Sequence, residues 1–151
     1  MMNWNKAIWL VVGLLATSPF PQGNDPAAAL TKAEATWRAR KPAAYEFTIE
    51  IRCFCPVALR PVSFRVIGDE STLLDKLDAD VRQMYERYNT VDKVLAVLRR
   101  WAAMDPFKMR VEYDSTLGYP LRADLDHKKF TKDDELFFRV TQFRPLPAKF
   151  P

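Results

Sequence analysis

The sequence is poor in the residues from which active sites are commonly built. It contains one histidine, two cysteines and four glycines among 151 residues. It also has no serine in a nucleophile-elbow context and no glycine-rich phosphate loop. Basic residues are not concentrated, because Lys and Arg are interleaved with Asp and Glu despite a net charge of +4. A nucleic-acid groove needs a concentrated basic face, so these patterns favour a protein with no catalytic activity and no nucleic-acid partner.

Apolar residues, by contrast, are abundant. The chain is 48% hydrophobic and 13% aromatic, which is enough for a packed core in one domain of this length. Composition and pattern divide the chain into three parts. We predict a signal peptide and linker over residues 1–25, a single α+β domain over 26–144 and a proline-rich tail over 145–151.

The N-terminal residues indicate export. Lys6 precedes an apolar run from Ala7 to Ala16, which is the arrangement of a secretory signal peptide. This run is shorter than the roughly 20 residues that a membrane-spanning helix needs. We therefore expect a periplasmic or secreted protein that is cleaved between Ala16 and Asp25. Such a protein would contact a membrane only through its N-terminal segment, and only if that segment is retained.

Helical periodicity is clear in two places. Asp25 and Pro26 form a helix start, and apolar residues at i, i+3 and i+7 continue it until Pro42. Thr90 is suited to cap a second helix, whose continuous apolar stripe ends before Asp105. The stretch over residues 71–89 suits a third helix, although its apolar spacing is less regular.

Alternation of apolar and polar residues predicts the strands. The segment "AYEFTIEIRCFC" places every second residue from Tyr45 to Cys55 on one face, and "VSFRVI" returns as the second strand of a hairpin. The segments "FKMRVEYD", "LRADLD" and "ELFFRVTQF" predict a three-stranded antiparallel meander. The expected fold is therefore α+β, with an antiparallel sheet of about five strands packed against two or three helices.

Several of these segments together resemble a known family. "YEFTIEIRCFCP", "YNTVDKVL", "VEYDSTLGYP" and "DHKKFTKDDELFF" are similar, in this order, to a bacterial exported family known only as a domain of unknown function. The resemblance covers roughly Tyr45 to Val140. It implies an envelope or secreted protein, and it implies no activity.

The two cysteines, Cys53 and Cys55, are separated by one residue at the end of the first predicted strand. Two positions along a strand separate Cα atoms by about 6.6 Å, close to the upper limit of about 6.8 Å for a disulfide. An exported protein meets an oxidising compartment, so a bridge or a pair of buried structural thiols is the favoured interpretation. Thiol-redox work and a soft-metal site remain alternatives, although His127 is the only histidine that could join such a site.

A second group of candidate residues lies at the end of the third predicted strand and in the connection that follows it. Gly118 is expected to supply a backbone conformation that other residues resist, and Pro120 to open the next strand. Tyr113 and Tyr119 either form an exposed aromatic surface for a partner, together with Asp114, Gly118 and Pro120, or pack in the core. The sequence thus predicts an exported binding or structural module for an unknown protein or small molecule, with no metal or cofactor. The alternative is a thiol-redox or soft-metal-handling protein that uses the cysteine pair.

Overall fold

The computed structural model describes residues 25–54, 60–131 and 134–147 of the chain. The predicted signal peptide, Cys55 and the end of the predicted tail lie outside these residues. Between the described ends the chain forms, in order, α1 (Pro26–Arg40), β1 (Ala44–Cys53), β2 (Val62–Ile67), β3 (Glu70–Leu73), α2 (Ala79–Tyr85), a short 3-10 turn (Glu86–Tyr88), α3 (Val91–Ala103), β4 (Lys108–Tyr113), β5 (Pro120–Asp126) and β6 (Glu135–Pro145).

The strands form one antiparallel sheet in the order β3-β2-β1-β6-β5-β4. Two meanders, β1 to β3 and β4 to β6, are joined where β6 pairs with β1. The predicted α+β class is confirmed, but the sheet has six strands and the expected number was about five. The additional strand is β3, which follows Gly68 at a φ of 61°. Because glycine adopts this left-handed conformation easily, β2 can turn back at once into β3.

The capping residues explain where the two long helices begin. The Asp25 carboxylate accepts a hydrogen bond from the N–H of Ala27, and the Thr90 hydroxyl accepts one from Lys93. Both caps satisfy N–H groups that the first turn of a helix leaves unpaired. In the stretch over residues 71–89 the α-helix is limited to Ala79–Tyr85. Within the described residues, no helix is long and apolar enough to cross a membrane.

The core lies between the helices and one face of the sheet. The alternation in β1 directs Tyr45, Phe47, Ile49 and Ile51 into it, and each of these side chains is buried. Trp37 of α1 meets Tyr45 edge to face, with ring centroids 5.4 Å apart. Burial of these large rings supplies much of the apolar area removed from water on folding.

A β-bulge in β6 changes which residues face the core. Val140 pairs with Ile49, but the next pair joins Gln142 to Thr48, so Thr141 is the additional residue. Before the bulge, the even-numbered residues of β6, such as Leu136 and Phe138, face the core. Beyond the bulge the odd-numbered Phe143 faces the helices, and its ring stacks on that of Tyr45 with centroids 5.2 Å apart. The pairing continues to the end of β6, where the Leu146 N–H bonds to the Ala44 carbonyl at 2.8 Å. The first residues of the predicted tail are therefore tied to β1.

Candidate functional site

The sheet face opposite the helices, here called the outer face, carries mostly polar and charged side chains. None of them is fully buried. An antiparallel sheet commonly leaves one face in water, so exposure alone does not indicate a site. The order of the charges on this face is more informative. Its central rows are formed by Glu46, Thr48, Glu50 and Arg52 of β1, Ser63 and Arg65 of β2, and Arg139, Gln142 and Arg144 of β6.

Each glutamate of β1 lies between two arginines. Glu46 pairs with Arg65 of β2, at 2.7 Å, and with Arg144 of β6. We refer to these three residues as the Glu46 triad. Only 15% of the Glu46 side chain is exposed. Two guanidinium groups and one carboxylate leave the triad with a net charge of +1.

The second group, the Glu50 triad, repeats this arrangement further along β1. Glu50 pairs with Arg52 of the same strand and with Arg139 of β6, both at 2.7 Å. Its side chain is 13% exposed, and the net charge is again +1. Arg52 also lies over the ring of Phe137, 5.5 Å from its centroid, which limits the orientations of the guanidinium group.

Both carboxylates remain ionised at neutral pH. Hydrogen bonds from Arg144 and then Arg65 lower the pKa of Glu46 below its ordinary value. Hydrogen bonds from Arg52 and then Arg139 lower the pKa of Glu50 in the same way. Such bonds stabilise the charged carboxylate, so neither group is suited to act as a general acid. Their role in this arrangement is to hold arginine side chains in position.

Short side chains separate the two triads. Ser63, Thr48 and Gln142 lie side by side across β2, β1 and β6, and the Thr48 and Ser63 hydroxyl oxygens are 2.9 Å apart. Because these side chains are shorter than the neighbouring arginines, the outer face is indented here. The indentation, called the sheet hollow, has a volume of about 520 Å³. Its lining consists of Glu46, Phe47, Thr48, Ser63, Leu74, Thr141, Gln142, Phe143 and Arg144.

Cys53 lies at the end of β1, beside Leu136 of β6. It is half-buried and packs against the core, as the sequence alternation predicts. Cys55 lies outside the described residues. His127 is located after β5, with its ring 6.3 Å from that of Trp101. Among the described residues, no group of three or more His, Cys, Asp or Glu side chains is arranged to hold a metal ion.

The loop over residues 114–119 packs closely against α1. The Asp114 carboxylate accepts hydrogen bonds from the N–H groups of Thr116 and Leu117, and the Asp114 carbonyl accepts one from Gly118. Gly118 has a φ of 83°, and a Cβ atom there would lie 2.5 Å from the Ala33 carbonyl oxygen. The conformation expected for Gly118 is thereby confirmed. Asp114 and Gly118 have clear structural roles in this turn.

The two tyrosines beside this loop pack against the core. Tyr119 stacks on Phe143 with ring centroids 4.3 Å apart, and Pro120 is buried where β5 begins. The Tyr113 ring also packs against the core, and burial raises the pKa of its hydroxyl. That hydroxyl is buried with no hydrogen-bond partner among the described residues. The five residues predicted as a partner surface are thus close together, and that use of them stays a prediction.

None of the candidate residues chosen from the sequence lines the sheet hollow. Alternation in β1 assigns Glu46, Thr48 and Glu50 to the polar face, but a polar face is expected of any half-buried strand. The informative signal is the pair Gln142 and Arg144, whose placement depends on the bulge in β6. That bulge is visible only after the pairing of β6 with β1 is known.

Residues 29–145 match the sequence profile of a family of unknown function, DUF6174. The chain belongs to this family, which confirms the resemblance to a domain of unknown function. No curated protein and no solved structure matches the chain. Its function therefore has to be argued from the geometry of its own residues.

Proposed function

We propose that this protein is an exported binding module, periplasmic or secreted, that holds a polar, negatively charged ligand in the sheet hollow. The observation that carries the proposal is the placement of hydroxyl and amide groups between two triads of net positive charge. Hydroxyl and amide groups donate and accept hydrogen bonds, and guanidinium groups bind carboxylates and phosphates.

The arginines of the triads are suited to this task because they are already positioned. Glu46 holds Arg144 at the rim of the hollow, so less side-chain entropy is lost when a ligand binds. The volume of about 520 Å³ lies within the range of small-molecule sites. A ligand with one or two acidic groups and several hydroxyl or amide groups matches this lining. A peptide segment that carries an acidic side chain matches it equally well.

A substitution that fills the sheet hollow tests the proposal directly. Thr48→Trp places a large ring in the hollow without touching the core, and Thr72→Trp is the matched control, because Thr72 is exposed on β3 outside the lining. Native mass spectrometry of the protein isolated from its own envelope should detect a bound molecule in the wild type and in Thr72→Trp. Thr48→Trp should lack it. Equal retention by both variants, or a wild type with nothing bound, would contradict the proposal.

Export is supported by the sequence of the N-terminus, where Lys6 precedes the apolar run from Ala7 to Ala16. We further propose that Cys53 and Cys55 are oxidised to each other in the exported protein. Intact mass measured with and without alkylation reports both properties. We expect a chain shortened to a start between Ala16 and Asp25, with no alkylated cysteine. A full-length chain recovered from the cytosol would overturn the export proposal. A chain alkylated at both cysteines would overturn the proposed disulfide.

The second candidate function is thiol-redox or soft-metal handling by the cysteine pair. It is favoured by one observation, the 78% exposure of Phe54, which lies between the two cysteines in the sequence. Exposure of the intervening residue suggests that reactants could approach this strand end. Reduction of a model disulfide, or stoichiometric copper or zinc, should then be lost in Cys53→Ser. Neither property should be present if the cysteines serve the structure alone.

A further inference from the structure

Strand β4 is one of the two edges of the sheet, and among the described residues it pairs only with β5. The backbone N–H and C=O groups on its other side can therefore pair with a further strand. The opposite edge is β3, which has only four residues. A longer edge forms more hydrogen bonds with an added strand, so β4 is the better suited of the two to hold a partner.

Short side chains of α1 leave the β4 edge open. Pro26 and Ala29 form one wall of a hollow of about 280 Å³, and the strand from Met109 to Tyr113 forms another. Side chains from both faces of β4 line this hollow, so it lies along the free edge of the strand. An added strand therefore meets little steric hindrance from the start of α1.

The charges of β4 are antisymmetric about its centre. In "KMRVEYD", residues 108–114, the two basic residues precede Val111 and the two acidic residues follow it. Two copies that run antiparallel about Val111 place Arg110 of one copy opposite Glu112 of the other. Lys108 likewise lies opposite Asp114, which directly follows the strand. Every charge then faces one of opposite sign, the favourable arrangement for cross-strand pairs.

The apolar residues of β4 match in the same register. Val111 lies opposite its own copy, and Met109 lies opposite Tyr113. All three side chains pack against the core of their own domain. Because side chains alternate between the two faces of a strand, this register keeps apolar residues on one face and charged residues on the other.

Charged residues on an edge strand ordinarily oppose such pairing. That protection acts where like charges meet, and the other face-matched registers of β4 show it. Pairing about Arg110 or about Glu112 places that residue opposite its own copy. Pairing about Met109 or Tyr113 brings two basic or two acidic residues together. Among the registers centred on residues 109–113, the one about Val111 alone avoids every contact between like charges.

The charges at the centre of the edge are incompletely paired within the chain. Arg110 is exposed and forms no salt bridge with a described residue, since Asp124 opposite it on β5 pairs with Lys108 at 2.6 Å. Glu112 contacts Arg122 through one carboxylate oxygen, and both side chains are more than half exposed. Arg110 and the second oxygen of Glu112 are therefore available to another chain.

We propose that two copies of this chain pair through β4, antiparallel about Val111, and join their sheets into one. A twofold axis through Val111 makes the interface self-complementary, as a closed symmetric dimer requires. The antisymmetric charges favour a second copy over a foreign strand, because a second copy necessarily presents the reverse order of charges. The sheet hollow is lined from β1, β2 and β6, beyond β5, so this inference is independent of the proposed ligand.

Sedimentation equilibrium of the protein isolated from its own envelope tests the pairing. The wild type should be a dimer. Arg110→Glu and Glu112→Arg each place like charges opposite one another, so each should raise the dissociation constant about a hundredfold or more. Glu70→Arg reverses a charge on the β3 edge and should change the constant less than about twofold.

An equimolar mixture of the two reversed variants separates charge pairing from a general loss of structure. Each altered residue then faces an opposite charge on the other chain, so the mixture should form a heterodimer although neither variant dimerises alone. A monomeric wild type, or reversed variants that remain dimeric, overturns the proposal. A wild-type monomer that retains a strand of another protein does so too, because β4 would then serve a foreign partner.

Val111→Cys provides a test that changes no charge. In the proposed register the two copies of residue 111 have Cα atoms about 4.5 to 5.5 Å apart, within the range that a disulfide bridges. Met109→Cys is the control, because the two copies of residue 109 lie about 13 Å apart along the strands. Oxidation should link Val111→Cys into a covalent dimer and leave Met109→Cys unlinked. Equal linking of both variants, or of neither, overturns the proposal.

Discussion

The hydroxyl of Tyr45 accepts a hydrogen bond of 3.1 Å from the backbone N–H of Val91. Tyr45 belongs to β1 and Val91 is the first residue of α3, so one bond joins the central sheet to the start of the core helix. It satisfies a buried N–H that a helix start leaves without a partner. The bond therefore holds the start of α3 against the first strand of the sheet.

Tyr45→Phe should destabilise the protein. The substitution keeps the ring but removes the hydroxyl that accepts from the Val91 N–H, and an unsatisfied buried donor costs about 1 to 3 kcal/mol. The free energy of unfolding in urea measures this loss. Tyr119→Phe is the control, because Tyr119 is only half-buried, and its change should stay under about 0.5 kcal/mol. Equal losses in both variants would show that the Tyr45 bond contributes little.

Leu98 and Trp101 of α3 should differ in their contribution to stability. The sequence pattern places both on the apolar stripe, but Leu98 is fully buried whereas Trp101 is half-buried. Leu98→Ala should therefore cost about 2 to 5 kcal/mol, the range of fully buried leucines. We expect Trp101→Ala to cost less than the 3 to 5 kcal/mol or so of a fully buried aromatic. Urea denaturation compares the two, and a greater loss for Trp101→Ala would contradict the assigned packing.

Gly118→Ala should be more damaging than the same change at Gly68. Both glycines have a positive φ, which costs roughly 1 to 2 kcal/mol in any other residue. A Cβ atom at Gly118 would also collide with the Ala33 carbonyl, whereas nothing lies within 4 Å of the same atom at Gly68. We expect a loss of about 3 kcal/mol or more for Gly118→Ala. Similar thermal midpoints for the two variants would disprove the close approach to α1.

Removal of both cysteines should leave the fold intact. A disulfide that closes a three-residue loop stabilises by only about 1.6 kcal/mol, and Cys53 is half-buried. Cys53→Ala combined with Cys55→Ala should therefore lower the unfolding free energy by about 1 to 3 kcal/mol. Wild type treated with a reducing agent is the comparison. Complete unfolding of the double variant would mean that the pair is essential to the structure.

Much of the fold is encoded in short windows of sequence. The helix starting at Pro26, the helix capped by Thr90 and the alternation of β1 each depend on neighbouring residues, and all three are found where predicted. Strand β3 is different because its four residues "ESTL" carry no alternating apolar pattern. It forms because the turn at Gly68 brings it beside β2. Pairing with β2 then stabilises a strand that its own residues do not strongly favour.

The sheet hollow depends on contacts between distant parts of the chain. Glu46 and Arg144 are 98 positions apart, and no local pattern specifies that β6 pairs with β1. The bulge at Thr141 then determines that Gln142 and Arg144 reach the outer face. A register one residue different would direct Phe143 outward and remove the hollow. The polar residues of the site were thus predictable strand by strand, but their combination was not.

Glu46→Gln should make the protein less sensitive to acid. Arg144 and Arg65 lower the pKa of Glu46 in the folded state, relative to about 4.3 in the unfolded chain. A lowered pKa contributes stability that is present above the unfolded pKa and lost as the pH falls through the folded one. The stability difference between wild type and variant should therefore be largest near neutral pH and shrink below about pH 4. Urea titrations across this range measure it, with Glu112→Gln, from an exposed pair with Arg122, as the control. A difference that stays constant with pH would mean that the triad does not stabilise the charged form of Glu46.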